Sequence, residues 1–279
     1  MTIRFTKMHG LGNDFIVIDG LHQQIHFSPS QIKALAQRGT GIGFDQCLLI
    51  EASKEPEVDF FYRIFNADGQ EVGQCGNGAR CLARFIHHYG LSTKKTISVA
   101  TRTTKMQLTL NDDHTVTVEL EHPVFNPSEI PFLVNSLTSL YSLPLKDGSH
   151  CEIHALNVGN PHAVLIVKDL ATVPVTTLGR QISEHPLFPE QTNVGFMQLI
   201  DANHIRLRVY ERGCGETNAC GSGAVAAAAA GRLFHHLAAR IHVGLIGGEL
   251  IIDWPDTTQS IFLTGPASFV YEGILMTGD

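Results

Sequence analysis

The 279 residues carry 20 basic and 27 acidic side chains, a formal net charge of −7, with 43% hydrophobic and 17% charged residues. That composition belongs to a packed globular protein, and the length suffices for one large domain or two of about 100–150 residues. An acidic balance without a basic block argues against nucleic acid or an anionic membrane as partner. The longest apolar runs, such as Ala163–Val167 and Ala224–Ala230, fall far short of the ~18–20 residues that cross a bilayer. The segment Met1–Lys7 holds no long apolar stretch, so no secretory signal is read and a cytoplasmic location is expected.

In chain order, short apolar or alternating runs rich in Val, Ile, Phe and Thr predict strands at Phe15–Ile18, Gln46–Ile50, Phe60–Phe65, Thr96–Ala100, Lys105–Leu110 and Val116–Leu120. The best helical stretch of this half runs over Gly78–Tyr89, with Gly90 as its stop. Glu121–Pro131, with Pro123, Pro127 and Pro131, reads as a link. Strands are then predicted at Glu152–Asn157, Ala163–Val167, Gly195–Ile200, Ile205–Tyr210 and Leu250–Asp253, and a helix over Gly223–Ala239. Ala226–Ala230 cannot make that helix amphipathic. Its small side chains suit a place in the middle of a unit, wrapped closely by strands.

The two halves repeat one another. Cys75-Gly76-Asn77-Gly78-Ala79 lies over Cys220-Gly221-Ser222-Gly223-Ala224 at a spacing of 145 residues, and the same spacing brings Arg63 onto Arg208 and Glu71 onto Glu216. Gly12-Asn13 resembles Gly159-Asn160, and Leu49–Ala52 resembles Leu199–Ala202, in the same order. An ordered set of blocks marks two copies of one supersecondary unit. The expected fold class is α+β, with two pseudo-symmetric units.

Six cysteines are present, at 47, 75, 81, 151, 214 and 220, and none forms a Cys-x-x-Cys pair. That disfavours structural zinc and a thioredoxin-type dithiol, so no metal site is expected. Cys47, Cys81, Cys151 and Cys214 read as small buried apolar residues. Cys75 and Cys220 each open a helix, where unpaired N–H groups and the positive end of the dipole can pull a thiol well below its usual pKa of about 8.5. The glycines beside them let an anion approach the backbone. Duplication places the two thiols about a pseudo-two-fold axis, facing one cleft.

Opposed thiols suit inversion of a carbon bearing a weakly acidic proton. One takes the proton from one face and the other returns a proton to the opposite face. A thiolate is a feeble base toward an α-C–H, so the charge developing on the substrate must meet preorganised donors in a dry site. No PLP lysine or other cofactor is required. Other residues have ordinary readings too. Asn13, Asn66, Asn160 and Asn193 could be turn residues. Glu211 and Arg212 could be a surface ion pair, or a clamp in which Arg holds a carboxylate and Glu an ammonium. His87-His88 and His235-His236 read as structural residues near helix ends. Competing functions are a proline-type racemase, a cysteine-nucleophile enzyme, and a redox sensor that joins Cys75 to Cys220.

Lys7-Met8-His9-Gly10-Leu11-Gly12-Asn13-Asp14-Phe15, Asn66-Ala67-Asp68-Gly69, Cys75 through Cys81, Gly159-Asn160-Pro161-His162 and Glu211-Arg212-Gly213 through Ala224 resemble the signature blocks of diaminopimelate epimerases. The resemblance spans nearly the whole chain. It implies a PLP-independent isomerase that interconverts LL- and meso-diaminopimelate in lysine and peptidoglycan biosynthesis. It implies two similar domains, each a strand-rich, barrel-like sheet around a central helix: residues 1–121 with a returning strand in 266–279, and residues 122–265. It further implies a homodimer, with Tyr271 at the dimer contact. By motif, Cys75 and Cys220 become the base/acid pair, and His162 and Glu211 the residues that tune the thiols. Substrate contacts fall on Asn13, Gln46, Asn66, Gly76, Asn77, Asn160, Asn193, Glu211, Arg212, Gly221 and Ser222. Gln70 and Ser222 depart from the family pattern, where serine and threonine respectively are common.

Overall fold

The structure, a computed structural model, describes residues 2–73 and 75–276. The chain forms two units, one built from the residues up to Val118 with those from Gly265 onward, the other from Glu119–Thr264. In the first, β1 (Thr2–Gly10), β2 (Asn13–Asp19), α1 (Pro29–Leu35), β3 (Gln46–Ala52), β4 (Phe60–Asn66) and β5 (Glu71–Val72) precede α2 (Gly76–His88). After it come β6 (Thr96–Ala100), β7 (Lys105–Leu110) and β8 (Val116–Leu120). Strands β2 and β3 run parallel, as do β4 and β6, whereas β1–β2, β3–β4, β4–β5 and β6–β7 are antiparallel. A parallel pair needs a crossover. Helix α1 supplies it for β2 and β3, started by a capping box of Ser28 and Gln31 with Pro29 in the first turn.

The second unit holds β9 (Tyr141–Pro144), β10 (His150–Asn157), β11 (Pro161–Ile166), α3 (Val175–Ser183), β12 (Asn193–Leu199), β13 (His204–Glu211) and β14 (Gly215–Thr217). Then follow α4 (Gly221–Phe234), β15 (Arg240–Leu245), β16 (Gly248–Asp253) and β17 (Ile261–Gly265). Its pairings repeat those of the first unit: β11 with β12 and β13 with β15 are parallel, and β12–β13, β13–β14 and β15–β16 antiparallel. The last strand, β18 (Ser268–Met276), belongs to the first unit and pairs antiparallel with β1 from Thr2↔Met276 to His9↔Ser268. Glu121–Pro131 is more than a link. Val124 bridges Asn157, and Pro127–Glu129 forms a short 3-10 turn capped by Asn126.

Each unit surrounds one helix. Helix α2 packs against β1, β2, β3 and β7, and α4 against β10–β13, β15 and β16. Every residue of Ala226–Ala230 is at most 1% exposed, and the alanines let the strands come close on all sides. At Gly223 a Cβ would stand 2.9 Å from Val209 Cγ2. Helix α4 ends at Phe234, short of the expected Ala239. Gly231 is the reason: its carbonyl accepts from both His235 and Leu237 N–H, and Leu237 folds back into space that a Cβ on Gly231 would fill. His236 takes φ 59° in this reversal.

Packing this tight makes α4 intolerant of volume. Ala227→Leu is expected to lower the free energy of unfolding by about 1–3 kcal/mol. Leu233→Ala, at an exposed position of the same helix, should change it by about 0.5 kcal/mol or less. Urea unfolding followed by circular dichroism measures both.

Candidate active site

In the first unit Cys75 is the N-cap of α2. Its backbone is extended (φ −155°, ψ 108°), and Sγ accepts from the Gly78 N–H at 3.4 Å. The sulfur thus takes the place a serine or aspartate oxygen usually fills. At Gly78 a Cβ would sit 3.2 Å from Leu48 Cδ2, a tight contact. At Gly76 a Cβ would meet nothing within 4 Å, which leaves the helix start open to approach. Asn13, at the start of β2, turns Oδ1 toward Cys75 Sγ at 4.0 Å and accepts there from Asn77 Nδ2 at 3.2 Å. Asn77 Oδ1 accepts in turn from Arg80 Nη2 at 2.8 Å. Arg80 is fully buried, which pulls its pKa down to about 10, so it stays charged at neutral pH. On the neighbouring strands Gln46 Nε2 donates to Asn66 Oδ1 at 2.8 Å, while Gln46 Oε1 is buried with no partner.

A charged network that the sequence reading missed holds Asn13. Asn13 Nδ2 donates to Asp45 Oδ2 at 2.9 Å, and Arg38 reaches both Asp45 Oδ1 and Asp14 Oδ1 at 2.8 Å. Lys7, itself buried, pairs with Asp14 at 2.6 Å and donates to the Gly43 carbonyl. Burial alone would raise the Asp14 pKa. Hydrogen bonds from Arg38 and Lys7 outweigh it and hold the carboxyl well below the usual carboxylate range. Asp14 belongs to a quoted motif, but its partners Arg38 and Asp45 lie 24 and 31 residues on, and no local pattern ties them to it.

The second unit repeats the cap. Cys220 is extended (φ −119°, ψ 111°), and Sγ accepts from the Gly223 N–H at 3.3 Å. Ser222 Oγ lies 3.5 Å from that sulfur and accepts from Asn160 Nδ2 at 3.4 Å. Asn160 Oδ1 accepts from His162 Nε2 at 2.9 Å. That bond places the imidazole proton on Nε2, so Asn193 Nδ2, 3.4 Å from Nε2, donates instead to the Pro161 carbonyl. Asn193 Oδ1 accepts from the Arg212 N–H at 3.1 Å, and the Arg212 guanidinium reaches the Glu190 carbonyl at 3.0 Å. Glu211 acts on Cys220 electrostatically and accepts a hydrogen bond from the Thr217 hydroxyl.

One expectation changes: the helix start does not prevail at Cys220. Burial pushes its pKa well above the ordinary thiol value and the nearby Glu211 adds to this; Ser222 and the Gly223 N–H, which pull the other way, do not compensate. Cys220 therefore rests as a protonated thiol. His162 and Glu211 both lie in the unit of Cys220, as their chain positions place them. Glu211 raises the pKa of Cys220, and His162 connects to it through Asn160 and Ser222. His162 is fully buried, which lowers its pKa to about 3 and keeps it neutral, and its Nδ1 is buried without a partner. Gly221 is buried in the first turn of α4. Tyr271 belongs to neither constellation; it lies on β18, 46% exposed, with its ring edge-on to Phe5 at 6.1 Å. Among the described residues no group of three or more His, Cys, Asp or Glu is placed to hold a metal ion, and no helix is long and apolar enough to cross a membrane.

The diaminopimelate epimerase family model matches residues 5–126 and 154–270. The diaminopimelate epimerase of Legionella pneumophila strain Philadelphia 1 is 61% identical over 277 residues, 99% of this chain and 100% of that protein. The chain belongs to the diaminopimelate epimerase family. A second family member, from Legionella pneumophila strain Corby, is 60% identical over the same shares. Solved structures carry the same fold at low identity. The Bacillus anthracis phenazine biosynthesis protein of the PhzF family aligns with a TM-score of 0.66 at 16% identity, covering 99% of both chains. A hydroxyproline epimerase from Agrobacterium vitis aligns at 0.68 and 14% identity, covering 100% of this chain and 93% of that one.

The neutral His162 makes a linkage prediction. Its folded pKa lies below its unfolded value of about 6.5, so as pH falls the unfolded chain binds a proton that the folded state refuses until about pH 3. Between pH 6 and 4 the protein should lose stability more steeply than His162→Gln, by up to about 1.4 kcal/mol per pH unit. Parallel urea-unfolding curves for the two proteins across that range would refute a neutral buried imidazole.

Proposed function

We propose that the protein interconverts LL- and meso-diaminopimelate by proton exchange at an α-carbon between Cys75 and Cys220, in the cytoplasm, without PLP. The observation that carries this reading is the repeated cap: in each unit of a diaminopimelate epimerase family chain, a cysteine sulfur accepts the N–H of a glycine three residues on at the start of the unit's buried helix. One thiol, ionised, removes the α-proton. The electron pair left behind spreads into the adjacent carboxylate, and N–H donors at the helix starts meet the charge there. The other thiol delivers its proton to the opposite face, and the two sulfurs end with exchanged protonation. Cys220, which burial and Glu211 keep protonated, is the proton-bearing member at rest.

The remaining residues fit a zwitterionic substrate with two carboxylates. Gly76, Asn77, Gly221 and Ser222 provide helix-start N–H groups for the reacting carboxylate. Amides at Asn13, Gln46, Asn66, Asn160 and Asn193 offer both donors and acceptors to an ammonium–carboxylate pair. The Arg212 guanidinium clamps a carboxylate and Glu211 accepts from an ammonium. The unpartnered Gln46 Oε1 is an acceptor of the kind an ammonium group needs. Each unit contributes one thiol, so two units make one enzyme. The exposed apolar residues Val270, Tyr271, Ile274 and Met276 on β18 support a homodimer through that strand. Reduced thiols, which the chemistry requires, are the state a cytoplasmic compartment maintains.

In heavy water the protein should convert LL-diaminopimelate to meso product carrying deuterium at one α-carbon, with no PLP or metal added. Cys75→Ala and Cys220→Ala should each lower turnover by at least about a hundredfold. Near-parental turnover in either variant, read by mass spectrometry and chiral chromatography, would be fatal to the two-thiol scheme.

A further inference from the structure

The repeat keeps some positions around the two cysteines and changes others, among them one pair that bears on Cys220. At the spacing of 145 residues, Arg63 and Glu71 recur as Arg208 and Glu216, whereas Glu211 and Thr217 stand where the first unit has Asn66 and Val72. Both Arg–Glu pairs are bidentate. Arg63 Nε and Nη2 lie 3.2 and 2.7 Å from the Glu71 oxygens, and Arg208 Nε and Nη2 lie 2.7 and 3.0 Å from those of Glu216. Each pair ties the strand leading into a cysteine to its longer neighbour, β5 to β4 and β14 to β13. Arg208 also donates to the Leu170 carbonyl at 2.7 Å.

In the second unit the strand pleat puts this clamp to use. Glu216 lies opposite Tyr210 and Thr217 opposite Val209, so the two side chains leave β14 on opposite faces. Val209 faces α4, where it meets Gly223. Glu211, two residues after Val209, shares that face, and the Thr217 hydroxyl donates its one proton to Glu211 Oε1 at 2.5 Å. The Glu211 carboxylate in turn lies near enough to Cys220 to raise its pKa. A hydroxyl bound to one carboxylate oxygen restricts how the carboxylate can turn beside Cys220. Val72 in the first unit has no hydroxyl to do this, and Asn66 no charge to be held.

We propose that Thr217 is a positioning residue: its hydroxyl fixes the Glu211 carboxylate against Cys220, and the Arg208–Glu216 clamp holds β14 in the register that makes this possible. The inference rests on the reading of Cys220 as one of the two proton-transferring thiols.

Thr217→Val keeps the shape and removes the hydroxyl; Thr217→Ser keeps the hydroxyl. Thr217→Val is expected to lower kcat about 10- to 100-fold and to move the acidic limb of the kcat/KM profile upward by about half a pH unit or more, because the buried carboxylate loses a donor. Thr217→Ser should restore both, and urea unfolding of Thr217→Val identifies any general loss of fold. Independently of turnover, the Glu211 carboxyl 13C resonance, assigned by its loss in Glu211→Gln, should titrate at higher pH in Thr217→Val than in the parent. An unmoved acidic limb and carboxyl titration in Thr217→Val would overturn the proposal, as would a Thr217→Ser variant as impaired as Thr217→Val. A parent protein that does not epimerise diaminopimelate would overturn the proposed function instead, and the carboxyl titration would still decide the role of Thr217.

Discussion

The structure turns on a sulfur atom capping a helix. In each unit Sγ accepts the N–H three residues on, which satisfies one of the donors a helix start leaves open and pins the sulfur at the positive end of the helix. The residue that donates the N–H has little room for a side chain, since a Cβ at Gly223 would force Val209 to shift and one at Gly78 would crowd Leu48. The helix behind the cap must also be surrounded. Alanines at 226–230 achieve that in the second unit by letting strands close in, whereas the first unit uses a more ordinary helix with Arg80 buried at its base.

Burial and the helix dipole act on such a thiol in opposite directions, and at Cys220 burial wins. A helix start favours the thiolate only while solvent or donors help carry the charge. Here the sulfur is nearly out of contact with water, beside a carboxylate. The two cysteines have unlike surroundings. Within the repeated frame Glu211 and Thr217 stand where the first unit has Asn66 and Val72, and His162 stands where it has Phe15, at the same step of β11 as Phe15 holds on β2.

Much of this was legible along the chain. The repeat of Cys-Gly-x-Gly, the central place of the polyalanine helix and most strands follow from patterns confined to a few residues, and local pattern is what a sequence displays directly. Strand β1 escaped notice because Lys7 interrupts its apolar run, and that lysine is buried only because Asp14 and the Gly43 carbonyl meet it. Strands β5 and β14 are two and three residues long, too short for alternation to mark them. The end of α4 at Phe234 depended on Leu237 folding back over Gly231, a contact with no signature in helical periodicity.

Residue order alone determined the class of the protein: two copies of one α+β unit, each opening its helix with a cysteine followed by glycine, because duplication and helix-start chemistry are written in neighbouring positions. Tertiary structure alone decided which groups surround each sulfur. The Asn13 network draws on Arg38 and Asp45, and Glu211 is steadied by Thr217 from another strand. It also decided that Cys220 is protonated and His162 neutral, since both depend on how much water the fold removes, a quantity set by every strand that packs around the helix.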